Sequence, residues 1–183
     1  MTEPADHPLA VELVARMDRD QEARNEISGR ATGEAAWARV NAVDAENTGW
    51  LKTVLAENGW PRRSVVGEQA ALAAWLLAQH ASRDPEFQRD CLALLEQAVR
   101  DGEASPGHLA YLTDRVLRVE GKPQLYGTQF WYDPENGNEL TAQPIEDPAG
   151  LDERRRAVGL GPFAEYETLM RHRETEEPET EDD

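Results

Sequence analysis

The sequence predicts a mainly α fold, a single-domain multi-helix bundle with one short β-hairpin or extended flap near residues 128–143. Three observations carry this prediction. Apolar residues recur at helical spacing through most of the chain. The segments that carry them open on a capping side chain followed by proline, as at Asp84-Pro85, Ser105-Pro106 and Asp147-Pro148. The texture then changes at PQLYGTQFWYDPENGNELTAQPI, where β-type residues flank a polar turn.

Taken in order, Pro8 opens a first helix reaching about Ile27, with Leu9, Leu13 and Met17 at i, i+4, i+8. SGRATG, Ser28 to Gly33, reads as a loop. A second helix runs from Glu34 to Asn58 and is stopped by NGWP, an Asn-Gly pair followed by proline. Ser64 is the expected cap of a third, through GEQAALAAWLLAQHA. Asp84 and Pro85 start a fourth that ends at RDGE, and Ser105 and Pro106 a fifth that ends at Gly121. Thr128 to Tyr132 and Glu139 to Gln143 are the two extended pieces, joined by DPENGN. Asp147-Pro148 begins a helix reaching about Val158, and Pro162 a last one reaching about His172. Residues 8–172 then form one domain between a flexible N-terminus (1–7) and a disordered acidic tail (173–183), with no internal repeat and no dividing linker.

Composition excludes several classes of function. Hydrophobic residues make up 39% of the 183 positions, enough for a core, and the net charge is −17. Seven of the acids lie in ETEEPETEDD at the C-terminus, which leaves −10 on the rest of the chain. A body of that charge is a poor ligand for nucleic acid or for an anionic membrane surface, both of which need clustered Lys and Arg. MTEPADHP has no basic and apolar leader and no apolar run approaches a membrane span, so a cytoplasmic protein is expected. Cys91 is the only cysteine, which rules out an internal disulfide, and its place on the Phe87-Cys91-Leu95 stripe makes it a buried thiol. The chain has no G-x-G-x-x-G or Walker-type loop, no H-E-x-x-H and no G-x-S-x-G. His7, His80, His108 and His172 share no metal-ligand spacing, so neither a cofactor nor a metal is expected.

The informative feature is polar residues at positions that periodicity assigns to a core. In the third helix Glu68, Leu72, Trp75 and Gln79 share one stripe, and Gln69, Ala73, Leu76 and His80 the next. The remaining faces are apolar, so the helix should be central, its four polar side chains at least partly buried and in need of partners. The first helix continues its apolar stripe into Asp20, Gln21 and Arg24, with Asp20 and Arg24 at ion-pair spacing. The second runs Val40, Asp44, Asn47, Leu51, Val54. If the three pack together, these groups converge. His80 is the best candidate base, since imidazole accepts and returns protons near neutral pH, with Asp20, Asp44, Glu68 and Asp114 as candidate partners. Arg24 and Arg115 are candidate grips on an anion. In the fifth helix Leu109, Leu112, Val116 and Leu117 form the apolar arc with Asp114 at its margin, while His108, Tyr111, Arg115 and Arg118 lie on the other side, where His108, Tyr111 and Arg118 read as a solvated face. QLYGTQ places Tyr126, Thr128 and Gln129 around a glycine as the tip of a flap.

The ordered run GWP, VGEQAALAAWLLAQHA, FQRDCLALL, AYLTDRVL, GKPQLYGTQF, PIEDP and LDERRRAVGLGPFAEY, preceded by DQEAR and DAENTGWLK, resembles a family of uncharacterised bacterial proteins over roughly Val11 to Met170. The resemblance implies one intact domain of bacterial type; the family has no known activity, so no site is carried over from it.

Two functional readings follow. In the first, a pocket binds or acts on a small polar, anionic molecule, with His80 and Asp114 catalytic. Asp20, Arg24, Asp44, Asn47, Gln79, Arg115, Tyr126, Thr128 and Gln129 then contact the ligand. In the second, a non-enzymatic interaction or regulatory protein uses its acidic surface and tail toward a basic protein partner, with Trp131 and Tyr132 exposed on the hairpin. A purely structural polar network remains open beside both.

Overall fold

Helix starts follow local chemistry. His7 Nδ1 accepts the Leu9 amide, the Asp84 carboxylate accepts the Phe87 amide at 3.1 Å, and Ser105 Oγ accepts the His108 amide at 3.5 Å. Each of these three caps is followed by proline, whose missing N–H costs nothing at a helix start. The computed structural model describes residues 7–26, 33–133 and 139–175. Among them lie helices α1 Pro8–Asn25, α2 Glu34–Asn58, α3 Arg63–His80, α4 Pro85–Arg100, α5 Pro106–Val119, α6 Leu151–Ala157 and α7 Phe163–Thr175. Strands β1 Phe130–Asp133 and β2 Glu139–Ala142 form an antiparallel hairpin after α5, with Phe130 opposite Ala142. The fold is thus mainly α, as the sequence predicts. The expected turn after Asp133, most of the Ser28–Gly33 loop, the first helix's end at Ile27, the N-terminus before His7 and the acidic tail after Thr175 lie outside the described residues.

Packing centres on α3, which lies against α1, α2, α4 and α5. Its covered faces are mostly alanine, with Ala70, Ala73, Ala74, Leu77 and Ala78 all buried, and small side chains let neighbouring helices approach closely. Leu13 of α1, Leu51 of α2, Phe87, Cys91 and Leu95 of α4 and Leu112 of α5 complete this core. The four polar residues of α3 divide between its ends. Gln79 is buried and His80 half-buried, as expected, but Glu68 and Gln69 are exposed. They follow Gly67, where φ of +82° and ψ of 168° break the helix and aim its first turn away from the rest, a conformation that favours glycine. Ser64 is not the cap. It lies inside that first turn and donates both its amide and its hydroxyl to Glu103, at 3.0 and 2.8 Å.

The C-terminal end of α3 is closed by α4. Gln88, fully buried, donates its side-chain amide to the Ala78 and Gln79 carbonyls, both at 3.0 Å, satisfying acceptors that a helix terminus leaves without partners. Farther along, Thr128 and Gln129 fall short of the predicted strand because both are held in a turn. The predicted helix at Pro148 begins as a 3₁₀ turn, Pro148–Gly150, before α6. Asp152 accepts the Phe163 amide at 2.8 Å and so starts α7. No helix among the described residues is long and apolar enough to cross a membrane.

Cys91 is fully buried, and burial, reinforced by the negative charges of Asp90 and Asp84, pushes its thiol up to about 12. The native protein is therefore expected to resist a disulfide thiol reagent at pH 8 and to react stoichiometrically once unfolded in urea, read by absorbance; rapid native labelling would contradict this packing.

Candidate functional site

Three helices bring four titratable side chains together beside the end of α3. Asp20 and Arg24 come from α1, Asp44 from α2 and His80 from the last turn of α3. Asp20 lies sealed at the base, 1% exposed, and both its oxygens stand 2.9 Å from His80 Nδ1. Arg24 Nε lies 3.3 Å from the same carboxylate, and Arg24 Nη2 donates to Asp44 at 2.5 Å. His80 and Arg24 keep 18% and 25% of their side-chain surface open, so the cluster has a closed floor and an accessible rim.

The network assigns the proton on His80. Nδ1 also lies 3.0 Å from Arg24 Nε, but it cannot accept from arginine while donating to Asp20. Burial would raise the Asp20 carboxyl, yet the hydrogen bond and charge of His80, helped by Arg24 and Gln21, hold it below the usual carboxylate range. An ionised Asp20 is a pure acceptor, so Nδ1 carries the hydrogen and Nε2 keeps its lone pair. Burial raises the Asp44 carboxyl against the pull of Arg24. Asp20, Asp44 and His80 present ligand atoms within 4.8 Å of one another, a spacing suited to a cation. The Arg24 guanidinium bonds to both carboxylates, however, and already supplies the positive charge.

Asp114 is placed elsewhere and does other work. It is fully buried, and its two oxygens accept the amides of Leu125, Tyr126 and Thr128 and the Thr128 hydroxyl, at 2.7 to 3.2 Å. It folds the YGTQ segment into a tight turn, and Gly127 there takes a φ of +66° with its bare Cα against the Phe163 ring. The expected flap tip is therefore a buried turn. Thr128 and Gln129 are 4% and 6% exposed, Tyr126 is half-buried, and the Tyr126 carbonyl accepts from Arg155 at 2.6 Å. The partner of His80 is Asp20, and Glu68 is exposed at the opposite end of α3.

Asn47 also lies apart from His80. Its Oδ1 accepts from Arg16 at 3.1 Å, one helical turn from the Asp20–Asp44 layer on the same α1–α2 seam. Gln79 faces the other way, toward α5, and accepts from Arg115 Nε at 2.6 Å. Gln79 and Arg115 thus form a second polar contact beside the His80 cluster, on the α5 side of the same last turn of α3. His108, Tyr111 and Arg118, expected on a solvated face, are all half-buried. The His108 ring stacks on Trp75 at 4.2 Å, and with Tyr111 and Leu160 they wall a cleft of about 600 Å³.

A family of unknown function, DUF6624, matches residues 7–175. The chain belongs to that family. No curated protein and no solved structure matches it. The match to DUF6624 spans all the described residues, so the cluster and the Asp114 turn both lie inside the family's domain.

Sequence reasoning missed the residues whose partners are backbone carbonyls or distant carboxylates. Gln124, 1% exposed, donates to the Gln129 and Gln143 carbonyls at 3.0 and 2.8 Å and aligns the start of the hairpin. Arg155, 2% exposed, reaches the Gly161 carbonyl at 2.7 Å. Arg16 pairs with Glu12 and Glu46. Only Arg16 left a signal, at i−4 from Asp20 on the buried face of the first helix.

Because the folded protein holds Asp20 below its unfolded value, that carboxylate stabilises the fold above the ordinary Asp range, and the contribution disappears as pH falls through the depressed value. Asp20→Asn is expected to cost roughly 3 kcal/mol at pH 7, the order found when one partner of a buried ion pair is removed. Urea titrations at pH 7, 5 and 3 should show the gap between wild type and variant holding to about pH 4 and closing below it. A constant gap would show that the charge of Asp20 contributes nothing.

Proposed function

We propose that this protein binds a small polar, anionic molecule at the Asp20–Arg24–Asp44–His80 cluster and acts on it by metal-independent proton transfer, with His80 as the acid/base. The observation that carries the reading is the Asp20–His80 pair. A sealed, ionised carboxylate orients the ring through Nδ1, and the opposite nitrogen is left to take and return a proton beside the Arg24 guanidinium. Asp20 would stabilise the imidazolium that forms, and Arg24 would meet the negative charge of the ligand. Asp114 is a positioning residue in this reading, shaping the turn that carries Tyr126, Thr128 and Gln129. The reading places the protein in the cytoplasm.

The alternative, a non-enzymatic interaction protein, draws on Trp131 and Tyr132, which are 43% and 48% exposed on β1. An apolar pair beside an acidic surface suits a basic protein partner.

A thermal-shift screen of metabolites on the full chain tests the first reading, since a ligand held only by the folded state raises its stability, by about 2.7 kcal/mol at one hundred times Kd. His80→Gln should remain folded by circular dichroism and should lower turnover of the ligand found by 10²-fold or more, the usual scale of general acid–base catalysis. Asp114→Asn, by contrast, should lower the melting temperature, because four donors lose a charged acceptor. Undiminished turnover in His80→Gln would overturn the assignment.

A further inference from the structure

Arginine is cheap to neutralise in this chain, which holds 36 acidic side chains against 19 basic ones. Arg16 has Glu12 and Glu46, Arg24 has Asp20 and Asp44, and Arg154 has Asp147. Arg155 spends its guanidinium on the Gly161 and Tyr126 carbonyls. Among the described arginines that are at least half-buried, two more lack such a carboxylate. Among the described residues, neither Arg115 nor Arg118 has a carboxylate within ion-pair distance. They lie at i, i+3 on one face of α5, so two positive charges share one turn.

The loose ends around them are donors. Arg115 gives its Nε to Gln79 Oε1 at 2.6 Å, which leaves both terminal nitrogens of the guanidinium for another acceptor. Arg118 Nε is sealed from solvent and has no hydrogen-bond acceptor. Gln79, 3% exposed, has its Nε2 sealed and equally without one. Turning the Gln79 amide over would not help, because Nε2 would then face the Arg115 donor. The Oε1 contact therefore fixes the amide, and its orphaned Nε2 sits one amide width from the Arg115 guanidinium. Buried donors without acceptors cost free energy, as do like charges in low dielectric, and each guanidinium here is left with that cost. Burial, with the charges of Arg118 and Arg24 behind it, brings Arg115 down to about 10.

We propose that Arg115, Arg118 and Gln79 form the anchoring subsite of the pocket and that the group they hold is a phosphate monoester dianion. The charge and the shape both point there. Two guanidiniums and an amide, carried by two helices, α5 and α3, present two positive charges and donors on three separate side chains. A carboxylate offers two coplanar oxygens and one charge, whereas a phosphate monoester offers three outward oxygens and a charge of −1.5 to −2 near pH 7. Gln79 and His80 are consecutive on the last turn of α3, so in this proposal the remainder of the ligand extends round that turn toward His80. The inference rests on the small-anion reading above and names the class of anion.

The test uses the full chain, with methyl phosphate, inorganic phosphate, sulfate and acetate each titrated by calorimetry and thermal shift. Methyl phosphate should bind at least tenfold more tightly than acetate, and methyl phosphate binding above that of inorganic phosphate would mark an ester rather than the free ion as the natural group. Arg118→Gln should weaken methyl phosphate tenfold or more. The same variant should raise the melting temperature of the unliganded protein, since it removes one of two crowded charges, whereas a merely structural arginine would lower it. Arg100→Gln, on an exposed end of α4, should change neither. Binding of acetate in preference to phosphate would overturn the phosphate assignment and leave the small-anion reading standing. Failure of all four anions to bind, with Arg118→Gln less stable than wild type, would overturn both.

Discussion

A helix enclosed on most sides by other helices has nowhere to hide its own end. That is the position of α3, whose alanine faces are covered by four neighbours and whose last turn finishes in Gln79 and His80. Water does not reach the final carbonyls freely, so Gln88 of α4 supplies donors to two of them. The two side chains are satisfied in opposite directions, His80 by Asp20 across the α1 seam and Gln79 by Arg115 on α5. The close approach that small residues permit on α3 is what brings α1, α2 and α5 near enough for those contacts.

Two buried polar networks result, and they differ in kind. Around Asp114 all bonds but that of the Thr128 hydroxyl end on the backbone of a neighbouring turn, and Gln124 and Arg155 extend the same function to the hairpin and to α6. Such a network holds the described parts of residues 120–133 and 139–150 against the helices. Around His80 the bonds run between side chains on separate helices, and part of the cluster faces solvent. Charges there are held in fixed geometry with a titratable nitrogen to spare, an arrangement that costs stability unless something uses it.

Electrostatics sharpen that contrast. The chain is strongly acidic, and most of its described arginines find carboxylates within a few residues or across a seam. Arg115 and Arg118, which have no carboxylate within ion-pair distance among the described residues, are exceptions in an anionic protein.

What the sequence by itself determined is local. Caps followed by proline set two of the three helix starts read that way, because Asp84 and Ser105 each reach an amide three residues ahead, whereas the Asp147 side chain caps nothing and pairs with Arg154. Periodicity made α3 the central helix and singled out Asp20, Arg24, Asp44, Gln79 and His80 as polar groups on buried faces. Tertiary structure alone decided the partners. Which carboxylate meets His80 depends on how α1, α2 and α5 rotate about α3, and a rotation of one residue, 100°, exchanges one acid for another. The same holds for Asp114, whose five bonds go to a segment ten or more residues away that no spacing rule connects to it. Glu68 and Gln69 are not part of the site because they lie exposed at the opposite end of α3 from His80, and Arg118 was gained because the far face of α5 is covered rather than bare. Side-chain direction along a helix is written in a few neighbouring residues, but burial is a property of what packs on top.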